Sequence, residues 1–328
     1  MTTAALASYS LVAVYSAMAI YLFAFIAYTL DLARRSAEAT ANVPVVAEAV
    51  RTAGVGSLSS AGTTVLERPA LVKEPTPARR GNVFERVAFA LTILGWVLHV
   101  GGDVLRGVAA HRVPWANMFE FSLTASAIIV GVFIFVQIWQ PLKFLGAYIT
   151  GFVLIVLGFG TVGFYVDVVP LPPALQSYWL VIHVFVATLG TAFFAVGAGL
   201  SIVQLIQTRR EHSGLPSLTF MQTLPDSVKL ENLAYRVVVV GFVFWTFTLM
   251  AGAIWAEHAW GRYWGWDTKE VWTFIIWTIF AGYIHARATR GWRGSRSAWL
   301  ALVGFSAVIF NFTVVNLYFH GLHAYSGL

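Results

Sequence analysis

Eight stretches of this sequence are long and apolar enough to cross a bilayer as helices, a task that takes about 20 mainly apolar residues. They lie at 8–30, 84–105, 118–139, 142–165, 178–206, 235–256, 270–288 and 298–318. Only 11% of the 328 residues are charged, where a soluble domain carries roughly 25%. A chain of this kind is expected to be all-α, a polytopic membrane protein with about eight transmembrane helices, since helices satisfy their own backbone groups in lipid. The first stretch is too long for a signal-peptide core and has no basic residues before it, so it is read as a retained span. Cysteine is absent, which excludes disulfides and thiolate metal sites. Any thiol chemistry must then be supplied by a partner.

The cations orient the spans. Alternate loops collect Arg34, Arg35, Arg51, Arg68, Lys73, Arg79, Arg80 and Arg86, then Lys143, then Arg209, Arg210, Lys229 and Arg236, then Arg287, Arg290, Arg293 and Arg296. That is 17 of the 21 Lys and Arg on one side, with Arg106, Arg112, Arg262 and Lys269 on the other. The positive-inside rule puts the 17 in the cytoplasm and both termini outside. The chain divides into a first span (1–30), a mobile cytoplasmic linker (31–83) rich in Ala, Val, Thr, Pro and Gly, and a transmembrane core (84–328). A second cytoplasmic loop, 207–234, has room for a short helix. No internal repeat is visible, which argues against transporters built from duplicated halves.

One external segment stands apart. Residues 255–272 read WAEHAWGRYWGWDTKEVW, and residues 255–277 hold six of the chain's 13 Trp. Trp favours the membrane interface, so a plain aromatic belt is one reading. A belt needs no glycines, however, and Gly261 and Gly265 remove side chains between the rings. Trp255, Trp260, Trp264 and Trp266 are therefore read as a platform for a large flat apolar ligand. Asp267-Thr-Lys-Glu reads as a helix start. Arg262 and Lys269 are scarce external cations, suited either to interfacial anchoring or to carboxylates on that ligand. Haem is such a ligand, a wide plane with two propionates.

Eight histidines remain to be sorted. His183 lies about one turn inside the external end of the fifth span, and His323 just beyond the external end of the eighth. Both come out on the Trp-rich side and fit two axial ligands of one haem iron. His285 lies about 17 residues into the seventh span, roughly 25 Å down a helix, so it belongs to a second, deeper site. His99, in the second span, and His258, inside the Trp segment, are weaker candidates, and His320 is either a packing residue or an alternative ligand. His111 reads as solvated, and His212, in a cytoplasmic loop, has no evident role.

These residues resemble a known family. WAEHAWGRYWGWDTKEVW followed by TFIIWTIFAGYIHAR is similar to the WWD signature of haem-handling proteins, in particular the CcsA/ResC (also CcsB) component of system II cytochrome c biogenesis. Thr268 stands where that family has Pro. The Lys269-Glu270 pair sets it apart from the related CcmC and CcmF. PWANMFE (114–120) is similar to the family's Pro-x-x-Asn-x-x-Glu element, and Asn117 with Glu120 reads equally well as a helix cap and its reciprocal partner. GLHAYSGL and WLVIHV also match, so the resemblance covers about 90–328.

The resemblance implies that His183 and His323 are the external haem ligands and His285 the ligand of a membrane haem, whose second ligand comes from a ResB-type partner. It implies haem b as cargo, apocytochrome c with its Cys-x-x-Cys-His motif as acceptor, a thioredoxin-like thiol reductant, and no nucleic acid. Haem delivery with thioether attachment is the expected activity. The alternatives are a haem exporter that forms no thioether, an electron-transfer subunit with permanent haems, and a solute transporter. A composition of 17 Arg to 4 Lys hints at a bacterial plasma membrane.

Overall fold

The structure is a computed structural model that describes residues 2–41, 83–171, 175–213, 216–289, 291–319 and 321–323. Most of the expected linker, together with Arg290 and His320, lies outside the described residues. Nine α-helices appear among them: α1 (Thr3–Ala41), α2 (Val83–Ala110), α3 (Met118–Val136), α4 (Gly146–Gly163), α5 (Tyr178–Ser213), α6 (Ser227–Trp260), α7 (Thr268–Ala288), α8 (Ser295–Phe312) and the short α9 (Val314–Tyr318). Each of the eight expected spans corresponds to a helix, with shifted ends. α1 runs on through residues assigned to the linker, and the last span is broken at Thr313. The 207–234 loop is mostly helical, because α5 overruns it to Ser213, α6 begins at Ser227, and a 3-10 helix, Pro216–Thr223, fills the gap.

Among the described residues, seven helical stretches are long and apolar enough to cross a membrane, and α7 is not one of them. Its 21 residues are long enough, but Lys269, Glu270, His285 and Arg287 dilute its apolar content. Its contacts nevertheless run the full height of the bundle. Its first turn reaches the end of α8 through the Lys269 ammonium, which donates to the Asn311 carbonyl (2.8 Å) and to Asn316 Oδ1 (2.6 Å). Its last turn reaches the start of α6 through Arg287 Nε and Glu231 Oε1, 2.8 Å apart. Between them, Trp245 Nε1 on α6 donates to the Thr273 carbonyl (3.1 Å), and Trp277 Nε1 on α7 donates to Thr246 Oγ1 (3.0 Å).

Polar groups at the two ends lock the alternating helices together. α1 lies along α2, with Ser10 Oγ donating to the Gly102 carbonyl (2.7 Å), the Tyr21 hydroxyl near His99 Nδ1 (3.3 Å), and Arg35 joining Asp31 to Glu85. α5 lies along α6, and α8 packs on both α5 and α7. The apolar centre is built on fully buried Phe194, which stacks on Phe280 at 3.6 Å between ring centroids. At one end Glu231 forms an ion pair with Arg287 and accepts from Gly294 N (3.0 Å) and from Ser297 Oγ (3.3 Å). At the other, the ends of α2, α6 and α8 meet the starts of α3, α5 and α7, and a cavity opens.

Candidate functional site

The cavity, of about 250 Å³, is walled by α3, α4, α5, α6, α8 and the start of α7 and capped by the 261–267 segment. Its wall is apolar and aromatic, with Trp115, Phe121, Trp245, Trp255, Tyr263, Trp264 and Phe312 among its residues, and both His183 and His323 line it. Trp255 is 2% exposed and touches both imidazoles. Its ring stacks on His183 (5.8 Å, 12° between planes) and meets His323 edge-on (5.4 Å, 62°). Residues 140 apart in sequence thus share one indole. Trp260 lies behind this group, 4.8 Å from both Trp255 and His323.

Each imidazole is oriented through Nδ1. His183 Nδ1 lies 3.1 Å from the Thr248 carbonyl, which can only accept, so Nδ1 carries the proton and Nε2 the lone pair. His323 Nδ1 donates to Asp267 Oδ2 at 2.7 Å, with the same result. The His323 imidazole beside it holds the Asp267 carboxyl down at about 2, against the opposing pull of burial, so the acceptor is ionised at physiological pH. A carboxylate behind a ligand imidazole fixes its tautomer and raises its basicity. Asp267 also caps α7, with Oδ2 accepting from Lys269 N (3.2 Å) while Glu270 Oε2 accepts from Asp267 N (3.0 Å) in a capping box. Its Oδ1 accepts from Leu322 N (2.9 Å). The same carboxylate therefore starts a helix and orients a candidate ligand.

The Trp segment departs from the flat shelf expected. Trp255 and Trp264 line the cavity, whereas Trp266 is 77% exposed and lies outside its wall. Trp266 sits at φ 61, a left-handed conformation strained for a bulky residue. The glycines have other reasons than spacing rings. Gly261 ends α6 at φ 69, the usual left-handed cap position. A Cβ on Gly265 would overlap the Arg262 guanidinium. That guanidinium lies 3.6 Å from Glu270 Oε1 and over the Trp260 ring. Arg262 is thus engaged with its own segment and does not line the cavity, while Lys269 does.

The remaining candidates separate. His285 is exposed at the opposite end of α7, 18 residues and roughly 27 Å from Asp267 along the helix. His99 is fully buried between α1 and α2, and His258 is exposed with Nδ1 2.8 Å from the Ile254 carbonyl; neither lines the cavity. Asn117 caps α3 by accepting from Glu120 N (2.9 Å), and it lines the cavity. Glu120 is not a simple reciprocal cap. Fully buried, it accepts from Ala116 N (3.0 Å) and pairs with Arg106 (3.0 Å) and Arg112 (2.6 Å). Sequence reasoning left both arginines without a role. Thr248 and Trp245, which α6 carries in alongside α5, and Trp115, just before α3, were also missed.

Among the described residues, no three His, Cys, Asp or Glu side chains are placed to hold a bare metal ion. Two imidazoles with free Nε2 atoms on an aromatic-walled cavity suit instead a metal that brings its equatorial ligands with it, as a porphyrin does.

The sequence profile of the cytochrome C assembly protein family matches residues 115–323, more than half the chain. The cytochrome c biogenesis protein CcsA of Guillardia theta is 34% identical over 264 residues, covering 75% of this chain and 87% of its own length. The CcsA of Synechococcus sp. (strain CC9902) is 41% identical over 176 residues, covering 48% and 58%. Among solved structures, cytochrome c haem lyase CcmF superposes with a TM-score of 0.59 at 16% identity, over 95% of this chain and 47% of that one, a likeness of fold. With a profile match that spans the capped start of α3, both cavity histidines and the whole Trp segment, the chain belongs to the cytochrome c assembly protein family.

Proposed function

We propose that this chain is the membrane core of a system II cytochrome c synthase. It takes haem b to the outer face of the membrane and presents it to apocytochrome c for covalent attachment. The observation that carries this reading is the pair of imidazoles, each oriented by an Nδ1 hydrogen bond, that meet on Trp255 in one apolar cavity. Family membership and relatives named cytochrome c biogenesis proteins support it. The clustering of Lys and Arg in alternate loops supports an outward-facing cavity in a multi-pass bacterial plasma-membrane protein.

In this reading Nε2 of His183 and of His323 bind the iron from opposite faces, and Trp255 and Trp264 pack on the ring. The histidine of an incoming Cys-x-x-Cys-His motif displaces one of them. Each thiol then adds across a vinyl group. Sulfur bonds to the carbon nearer the ring, the thiol proton ends on the terminal carbon, and no electrons are gained or lost. No acid–base pair is assigned to this step. The chain contributes position, which can offset roughly 7–11 kcal/mol of a barrier. A Cys-free chain needs a separate thioredoxin-like partner to keep those thiols reduced. The exposure of His285 supports a membrane haem shared with a ResB-type partner that supplies the second ligand.

Absorption spectra of the chain purified with its ResB-type partner test this. A bis-imidazole haem spectrum is expected in wild type, weakened in His183→Ala and His323→Ala and restored by free imidazole. Equal haem content and identical spectra in all three would overturn the ligand assignment. Covalent haem on a co-expressed apocytochrome c separates a synthase from an exporter.

A further inference from the structure

The cavity is apolar on most sides but not on one. Where the start of α3 faces the end of α8, Phe121 stacks on Phe312 (5.1 Å, 27°), and Asn117, Asn311 and Lys269 line the same space. Asn117 is 5% exposed and Asn311 6%. Asn117 spends its oxygen on the α3 cap, and its Nδ2 has no hydrogen-bond partner among the described residues. At Asn311 the buried atom without a partner among the described residues is Oδ1, and Lys269 bonds only the backbone carbonyl. Native structures rarely leave buried amides unsatisfied, and two at one place call for an explanation. Lys269 adds a third anomaly. Its ammonium has three N–H donors and bonds only neutral oxygens, the Asn311 carbonyl and Asn316 Oδ1, with no carboxylate within ion-pair distance among the described residues. Arg262, by contrast, is already beside Glu270. An ammonium that bonds only neutral oxygens, beside the orphaned Asn117 Nδ2 donor and an Asn311 amide that a half-turn about its last torsion presents Nδ2-first, is a receptor for an anion.

We propose that this α3–α8 wall is the carboxylate end of the ligand site, where Lys269, Asn117 and Asn311 receive a propionate of the bound haem. The proposal rests on the haem reading above and adds an in-plane orientation to it. Two axial imidazoles leave a porphyrin free to turn about the axis through its iron, and a carboxylate anchor on one wall removes that freedom. The vinyl groups occupy the half of the ring remote from the propionates. Anchoring at α3 and α8 therefore turns the reactive edge away from this wall, toward whichever opening the apocytochrome uses. The asparagines then serve as positioning residues, and the family-like Asn117 has a second task besides capping.

The test compares haem with its dimethyl ester, in which both carboxylates are blocked, by titration into the full chain in nanodiscs. Asn117→Asp and Asn311→Asp suit it, because both are isosteric and Asp keeps the helix cap at 117. Each replaces a donor by a negative charge. Wild type is expected to bind haem about tenfold or more tightly than the ester, the scale of one charge-assisted hydrogen bond. Both variants and Lys269→Met should lose most of that preference while binding the ester as wild type does. Equal affinity of wild type for the two compounds, or variants that weaken both alike, would overturn the proposal. His183→Ala separates the two readings. If it leaves haem and ester binding unchanged, the axial assignment fails whatever the ester shows. If it abolishes both while the ester preference is absent, only the carboxylate anchor fails.

Discussion

The two ends of this bundle use similar parts to opposite effect. At each end a buried glutamate gathers neighbouring helices: Glu120 with Arg106 and Arg112 at the cavity end, Glu231 with Arg287, Gly294 and Ser297 at the other. At the cavity end the imidazoles are held ready, with Nδ1 bound to Thr248 or Asp267 and Trp255 between them. At the other end His285 is exposed, and no hydrogen bond to its ring appears among the described residues. The contrast teaches that preorganisation is local. The chain holds two oriented imidazoles on one cavity at one end and leaves a single exposed imidazole at the other.

That contrast can be broken or sharpened by substitution. The largest effect is expected from Trp255→Ala, which empties a buried site touched by both imidazoles. It should cost about 3–5 kcal/mol in thermal unfolding and abolish the haem spectrum. Glu120→Ala strands two buried guanidiniums and should also cost about 3–5 kcal/mol, yet haem bound by the surviving folded fraction should keep its bis-imidazole spectrum. A milder loss is expected of Asp267→Ala, about 1 kcal/mol from the cap and about 10–100-fold in haem affinity from the freed His323, read by titration. The smallest belongs to His285→Ala. An exposed side chain should change stability by no more than about 0.5 kcal/mol and leave haem at the cavity intact, while haem held jointly with the partner is lost. A fall in cavity haem in that variant would mean that the two ends are coupled within this chain.

The eight expected helices were legible because lipid imposes a length and a composition on a span, although only seven helical stretches among the described residues are long and apolar enough to cross. Helix ends were less legible. α1 and α6 continue as polar helix beyond their apolar stretches, where hydropathy has nothing to say. His183 and His323 could be paired in advance by sidedness alone. Their supports could not, since Thr248 and Asp267 are 65 and 56 residues from the rings they orient. Charge was the poorest guide. Of the four cations expected outside, Arg106 and Arg112 neutralise Glu120, Arg262 lies on Glu270, and only Lys269 has no carboxylate within ion-pair distance among the described residues. Trp266 was grouped with the shelf because composition cannot show that its backbone turns through φ 61 and carries the ring outside the wall.

The clasp at Asp267 has a consequence for biosynthesis. One carboxylate fastens the residues before α7 to Leu322 and His323, and the 54 residues between Asp267 and Leu322 contain α7, α8 and α9. A nascent chain therefore carries His183 and its aromatic wall before its second imidazole has been made. The pocket closes only when α8 has folded back and threaded that histidine under the α7 cap. Until then only one of the two imidazoles that line the cavity is present, so the pocket is complete only once translation has passed residue 323.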